Sequence, residues 1–251
     1  MSARIPEAHR AAHTPAAIRE RLSAQPRQSY LRDFIYGAID GAVTTFAVVA
    51  GVAGAGLNST IIIILGAANI FADGFSMAVS NYLGTRAEQQ ELDRARRTEL
   101  KHIALFPEGE REEIRQIFAA KGFEGENLER VVDVITSDAR QWVDTMLREE
   151  LGLSVESRSP YKAAWATFIA FVVIGALPLL PFLHQVVWPN GIGDPFMLSA
   201  VMTGVAFFFV GAGKSRFVDE SWYRAGFETL AIGGIAAGIA YGVGLLLRGL
   251  V

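Results

Sequence analysis

Residues 30–85 read YLRDFIYGAIDGAVTTFAVVAGVAGAGLNSTIIIILGAANIFADGFSMAVSNYLGT, and this stretch decides the fold of the chain. It contains two apolar runs, residues 34–57 and 60–83, each long enough to cross a hydrocarbon core of about 30 Å as a helix. The turn GLNS between them is so short that the two helices must be antiparallel. Each run nevertheless contains one carboxylate, Asp40 in the first and Asp73 in the second. Acidic side chains inside membrane helices are costly and usually mark an ion or proton pathway.

Three further apolar runs follow, at residues 163–187, 196–213 and 225–247. The sequence therefore predicts an all-α membrane protein with five transmembrane helices embedded in the lipid bilayer. Gly234, Gly238 and Gly242 recur every four residues in the fifth run, a pattern that predicts close approach of another helix. Residues 1–29 lack apolar periodicity and any apolar signal region, so we expect a mobile tail without a cleavable signal peptide.

Residues 86–160 differ in kind from the rest of the chain. They hold 17 of the 26 acidic residues and 12 of the 23 basic ones. We expect the second helix to continue to residue 105 and two or three shorter helices to follow, forming a small helical domain. So small a unit is expected to pack on itself or on a partner subunit. The predicted organisation is a tail (1–29), helices 1 and 2 (30–85), an acidic insert (86–160) and helices 3 to 5 (161–251).

Charge and composition set the orientation and exclude several functions. The tail, the insert and the loop at 214–224 contain Lys and Arg residues, whereas the turns near 57–60 and 184–195 carry none. The positive-inside rule then places the N-terminus and the insert in the cytosol. A net charge of −3 does not suggest a nucleic-acid partner. The absence of cysteine leaves oxygen, nitrogen and Met sulfur as the possible metal ligands.

Polar residues line one face of each of the first two helices. On the first helix these are Asp33, Tyr36, Asp40 and Thr44, and on the second Asn69, Asp73 and Met77. An amide, a carboxylate and a thioether on one stripe suit a transition metal better than Na⁺ or Ca²⁺. The alternatives are that Asp33 caps its helix, that Asp40 bonds to a neighbouring helix and that Met77 only packs. Five spans without a repeat cannot form two halves, so a symmetric pathway would require a homodimer.

The insert contains four pairs of potential ligands at helical spacing: Glu88/Glu91, Glu99/His102, Glu110/Glu113 and Met146/Glu150. Such pairs can present two ligands to one ion, as in carboxylate-rich sites between helices. The alternative is that they are ordinary solvated helix faces. Several like charges that converge would repel each other without a cation, which favours metal binding.

Five segments together resemble the vacuolar iron transporter family. They are DFIYGAIDGAVTTFAVVAGVAGA (33–55), ADGFSMAVSNYLGTRAE (72–88), FPEGEREEI (106–114), MLREELGL (146–153) and YRAGFETLAIGGIAAGIAYGVG (223–244). The resemblance implies five transmembrane helices, a homodimer and a cytosolic metal-binding domain between helices 2 and 3. It also implies export of Fe²⁺, often with Mn²⁺, from the cytosol in exchange for protons.

The resemblance also assigns roles to individual residues. Asp33, Asp40 and Met77 match pathway residues, and Glu99, Glu110, Glu113, Met146 and Glu150 match ligands of the acidic domain. His102 and Asn69 each stand where the plant-type pattern has Glu, and Leu147 stands where it has a second Met. His102 is still a good ligand for Fe²⁺ or Mn²⁺. Asn69 cannot carry a proton, so Asp73 is the alternative proton carrier, unless the coupling itself differs.

The sequence thus predicts a proton-coupled exporter of divalent iron or manganese. Metal would collect on Glu99, His102, Glu110, Glu113, Met146 and Glu150, and would pass to Asp33 and then to Asp40 and Met77. The alternatives are a membrane-anchored metal-binding or sensing protein, or a transporter of another divalent cation. No enzyme motif and no prosthetic-group motif is present. We expect a bacterial inner membrane, or a vacuolar membrane if the protein is eukaryotic.

Overall fold

The computed structural model describes residues 13–23, 29–188 and 193–250, and these are helices and connecting turns without a strand. Most of the predicted tail, and residues 189–192, lie outside the described residues. The described part of the tail contains a short helix, α1 (Pro15–Ser23). Five helices in the described chain are long and apolar enough to cross a membrane. The predicted all-α class and its five spans are therefore confirmed.

The first two membrane helices are α2 (Leu31–Gly54) and α3 (Ser59–Leu105), joined by a tight turn. Gly56 takes the left-handed conformation there, with φ of 75°, which favours glycine. The Asn58 side chain then caps α3 by accepting a hydrogen bond from the Ile61 N–H at 3.1 Å. Helix α3 has 47 residues and is about 70 Å long, so it extends well beyond a membrane as one uninterrupted element.

The acidic insert folds against the end of α3. Its helices are α4 (Pro107–Ala120), α5 (Gly125–Thr136) and α6 (Ala139–Glu149). Their apolar stripes meet in a core of Ile114, Val132, Ile135, Trp142 and Met146, and a second cluster joins Leu92 of α3 to Val143 and Leu147 of α6. The insert therefore packs around a hydrophobic core of its own, and it is attached to α3 through a second apolar cluster that includes Leu92.

The third span is broken at its two prolines. It consists of α7 (Pro160–Gly175), a 3₁₀ turn (Leu177–Leu179) and α8 (Leu180–Val187). Pro178 and Pro181 lack the N–H groups that a continuous helix needs. On the next span, α9 (Pro195–Lys214), the Ser199 hydroxyl donates a 2.7 Å hydrogen bond to the Pro178 carbonyl. A neighbouring helix therefore satisfies a backbone group at the break, as membrane proline kinks require.

Helix α2 lies at the centre of the bundle, in contact with α3, α7, α9 and α10 (Trp222–Leu247). Its approach to α7 and α10 depends on glycines. A Cβ added at Gly41 would lie 2.5 Å from the Phe171 carbonyl oxygen, and one at Gly244 of α10 would lie 2.0 Å from the Gly51 oxygen. The predicted stripe of Gly234, Gly238 and Gly242 makes no such contact, because an added Cβ there meets no other atom within 4 Å in the described chain.

Candidate metal sites

Three metal-ligating side chains meet where α3 ends and α4 begins. Glu99 and His102 lie one turn apart on α3, and Glu110 lies in the first turn of α4. Pro107 starts the new helix and turns the chain back, so that one ligand atom from each side chain falls within 4.8 Å of the other two. His102 Nδ1 lies 3.5 Å from Glu110 Oε1. Two carboxylates and an imidazole at this spacing can hold one divalent cation.

The carboxylates of this cluster are buried without full compensation. Glu99 and Glu110 are only 4% and 6% exposed, and Glu110 Oε2 has no hydrogen-bond partner within the described chain. Burial, reinforced by Glu113, Glu99 and Glu150, raises the pKa of Glu110 to about 7. A buried carboxylate in this situation is satisfied either by a proton or by a cation.

The other ligands predicted in the insert are not part of this three-residue cluster. Glu113 lies one turn along α4 and Glu150 follows the end of α6. Burial, followed by repulsion from Glu113 and Glu99, raises the pKa of Glu150. Met146 is fully buried in the apolar core. Glu88 and Glu91 lie apart from the cluster, in a cavity of about 230 Å³ between α3 and residues 153–158.

Asp33 lies at the end of the membrane bundle nearest the insert. It is 7% exposed, its Oδ2 is paired with the Arg158 guanidinium, and its Oδ1 accepts a 3.1 Å hydrogen bond from Asn81. Asp33, Arg158, Met77 and Glu88 line one cavity of about 400 Å³. The structure thus joins Asp33 to Met77 through this cavity and gives Asp33 a cationic partner.

Asp40 and Asp73 lie deeper, on the facing helices α2 and α3. Asp40 is half-buried, whereas Asp73 is exposed in the single chain. Asn69 donates a hydrogen bond to Asp73, while the Asn69 side-chain oxygen is buried without a partner in the described chain. Asp40 is not among the residues that line the cavity of Asp33 and Met77. The membrane carboxylates therefore form two levels, Asp33 at the mouth and Asp40 with Asp73 further in.

Comparison with known proteins places the chain in a family. Residues 31–245 match the model of the VIT family, which covers all five spans and the insert. The chain belongs to the VIT family. This confirms the resemblance found in the sequence motifs.

Curated relatives of this VIT-family chain are named as iron transporters. It is 35% identical over 214 residues to "Vacuolar iron transporter 1" of Arabidopsis thaliana, which covers 84% of this chain and 83% of the relative. It is 31% identical over 256 residues to "Vacuolar iron transporter" of Toxoplasma gondii. That alignment covers 96% of this chain and 84% of the relative. These names denote transporters and not enzymes, in agreement with the prediction that the chain is no enzyme.

Sequence reasoning missed two residues of the site in this VIT-family chain. Asn81 continues the four-residue spacing of Asn69, Asp73 and Met77, and that spacing could have revealed it. Its amide also donates to the Thr167 hydroxyl at 2.7 Å, so it connects Asp33 to α7. Arg158 carried no local signal, because it lies 125 residues from Asp33.

Proposed function

We propose that this protein transports divalent iron, and also manganese, out of the cytosol in exchange for protons. The observation that carries the proposal is the cluster of Glu99, His102 and Glu110, in which Glu110 Oε2 is buried and unsatisfied within the described chain. Two of these residues, Glu99 and His102, lie on α3, the helix that also supplies Met77 and Asp73. Carboxylate and imidazole ligands suit Fe²⁺ and Mn²⁺. The names of the curated relatives support iron as cargo.

In this proposal the insert collects metal in the cytosol and delivers it to the membrane. The basic tail and loop at 214–224 support the cytosolic orientation. Metal would leave the cluster, enter the cavity of Asp33 and Met77, and proceed to Asp40 and Asp73. Each membrane carboxylate binds a metal ion or a proton, because an unpaired charge there is unfavourable. Protons that arrive from the opposite side therefore displace the metal and drive its export. We propose that it acts as a homodimer in a bacterial inner membrane, or in a vacuolar membrane if the protein is eukaryotic.

The direct test is transport in proteoliposomes loaded with a fluorescent metal or pH indicator. The purified wild-type protein should take up Fe²⁺ and Mn²⁺ and release protons in proportion, and Asp40→Asn should abolish both fluxes. Metal binding without flux would support the alternative of a membrane-anchored metal-binding protein. Unchanged flux in Asp40→Asn would exclude the proposed pathway.

A further inference from the structure

Asp33, at the mouth of the membrane pathway, forms an ion pair with Arg158. The guanidinium therefore occupies the carboxylate to which the proposed function requires a metal ion to bind. Arg158 pairs with one carboxylate oxygen of Asp33, and Asn81 donates to the other at 3.1 Å. The Asp33 side chain is 8% exposed and that of Arg158 is 32% exposed. A divalent cation at Asp33 would face strong repulsion from the adjacent guanidinium, since solvent screens a buried pair poorly. Metal and Arg158 therefore compete for the same carboxylate.

The position of Arg158 is held by the segment that joins the insert to α7, residues 157–159, which we call the strap. Gln89 of α3 donates hydrogen bonds to the Ser157 hydroxyl at 2.7 Å and to the Arg158 carbonyl at 2.8 Å. The Ser159 N–H donates to the Tyr30 hydroxyl at 3.1 Å. The Arg158 guanidinium also lies 5.4 Å from the centre of the Tyr30 ring. The strap is thus tied to α3 through Gln89 and to Tyr30, the residue before α2.

The strap also connects the two candidate metal sites along the chain. Glu150, beside the cluster of the insert, precedes Arg158 by eight residues. We propose that Arg158 is a built-in cation that occupies Asp33 in the metal-free protein and that divalent metal must displace it to enter the membrane pathway. This inference rests on the proposed function, since it gives Asp33 the role of accepting cargo.

Metal binding to the full-length protein in detergent tests the competition without requiring transport. The probe is Mn²⁺, with the free ion measured by electron paramagnetic resonance. The background is Glu99→Gln/Glu110→Gln, which weakens the site in the insert. In that background Arg158→Gln should lower the Kd for Mn²⁺ by about fivefold to tenfold, within the usual range for coupled sites. Arg158→Lys keeps the charge and should retain the Kd of the background.

The matched control is Arg32→Gln. Arg32 lines the same cavity and lies over the Tyr36 ring, and no carboxylate of the described chain is within 4 Å of its guanidinium. Its loss should change the Kd by less than about twofold, because exposed charges are screened. Equal gains from Arg32→Gln and Arg158→Gln would overturn the inference, as would an unchanged Kd in Arg158→Gln. Asp33→Asn should remove the gain.

A second variant keeps the test decisive if Arg158→Gln does not fold as a monodisperse protein. Gln89→Ala removes two hydrogen bonds that hold the strap and should lower the Kd in the same direction. An unchanged Kd in this variant would then overturn the inference. Vesicle transport by the wild type is a separate measurement. Its absence, together with intact competition between Mn²⁺ and Arg158, would refute the proposed function and leave the competition standing.

Discussion

Glu110 is the residue on which the proposed metal site of the insert most depends. It brings α4 to the pair on α3, and its buried Oε2 has no partner in the described chain. Glu112 on the same helix offers a contrast, since its carboxylate pairs with Arg115 and is largely exposed. Substitutions at Glu110 and at Glu112 remove the same negative charge from α4, but only the first removes a candidate metal ligand.

We expect Glu110→Gln to weaken Mn²⁺ binding by about 10- to 100-fold. Loss of a residue that only supports a metal ligand usually has an effect of this size, and loss of a ligand should cost at least as much. Glu112→Gln should leave the affinity within about twofold, because an exposed pair contributes little. Isothermal titration calorimetry on both purified variants measures the difference. Equal affinities in the two variants would show that Glu110 is not a ligand.

The raised pKa of Glu110 predicts a specific pH dependence. Its pKa is about 7 in the fold against an ordinary 4.5, so the metal-free fold binds more protons than the unfolded chain between these values. The contribution of this carboxyl to stability therefore falls as the pH rises through that window. Metal must displace the proton, so Mn²⁺ affinity should rise by about tenfold per pH unit below 7 and level off above it.

Binding titrations between pH 5.5 and 8 would check this, with Glu110→Gln as the reference. The variant should lose most of the slope between pH 6 and 7. A slope in the variant equal to that of the wild type would show that the displaced proton belongs to another group.

Helix α2 is the element that organises the bundle, and its glycines set the distances to its neighbours. At Gly41 an added Cβ would collide with the backbone of α7, where no side chain can move aside. At Gly238 of α10 the same added atom meets nothing within 4 Å in the described chain. Both glycines lie on apolar helices of membrane length, but only Gly41 is in close contact with the backbone of a neighbouring helix.

We expect Gly41→Ala to destabilise the protein by about 1–3 kcal/mol, as overpacking of a close contact usually does. Gly238→Ala should leave the stability unchanged or raise it slightly, because Ala favours helix over Gly by up to about 1 kcal/mol. Thermal unfolding of both variants in the same detergent measures the effect. A Tm for Gly41→Ala that equals that of Gly238→Ala would contradict the packing shown here.

At the scale of the whole molecule, one side of the membrane helix α3 is polar and exposed. Asp73, Ser76, Ser80 and Gly84 share one side of α3 and are all exposed in the single chain. A carboxylate at this depth faces protein or water in preference to lipid. A second copy packed against α2 and α3 would cover this face and place two sets of pathway residues about one axis, as the proposed homodimer requires.

We therefore expect a protein mass of twice 27.2 kDa in detergent, measured by light scattering with the detergent contribution subtracted. The chain has no cysteine, so Ser76→Cys provides a single thiol for oxidative cross-linking. It should yield a covalent dimer in membranes, whereas Val205→Cys on the exposed side of α9 should not. A monomeric mass without cross-linking of Ser76→Cys would refute the homodimer.

The features that the sequence alone determined are local or depend on composition. The length of the apolar runs predicted five spans, because each run must match the membrane thickness. The spacing of Glu99 and His102 placed both on one face, because neighbours on a helix surface are three or four residues apart. Pro107 signalled the end of α3, although not the direction in which α4 would return.

Contacts between residues far apart in the sequence follow from the folded structure and not from any local pattern. Glu110 joins Glu99 and His102 because the chain reverses at Pro107, and Asp33 meets Arg158 across 125 residues. The glycines of α2 contact α7 and α10, while the regular glycine stripe of α10 faces away. A periodic pattern specifies a helix face but not the surface that will cover it. The partner follows from how the helices pack, and that depends on the shapes of all of them together.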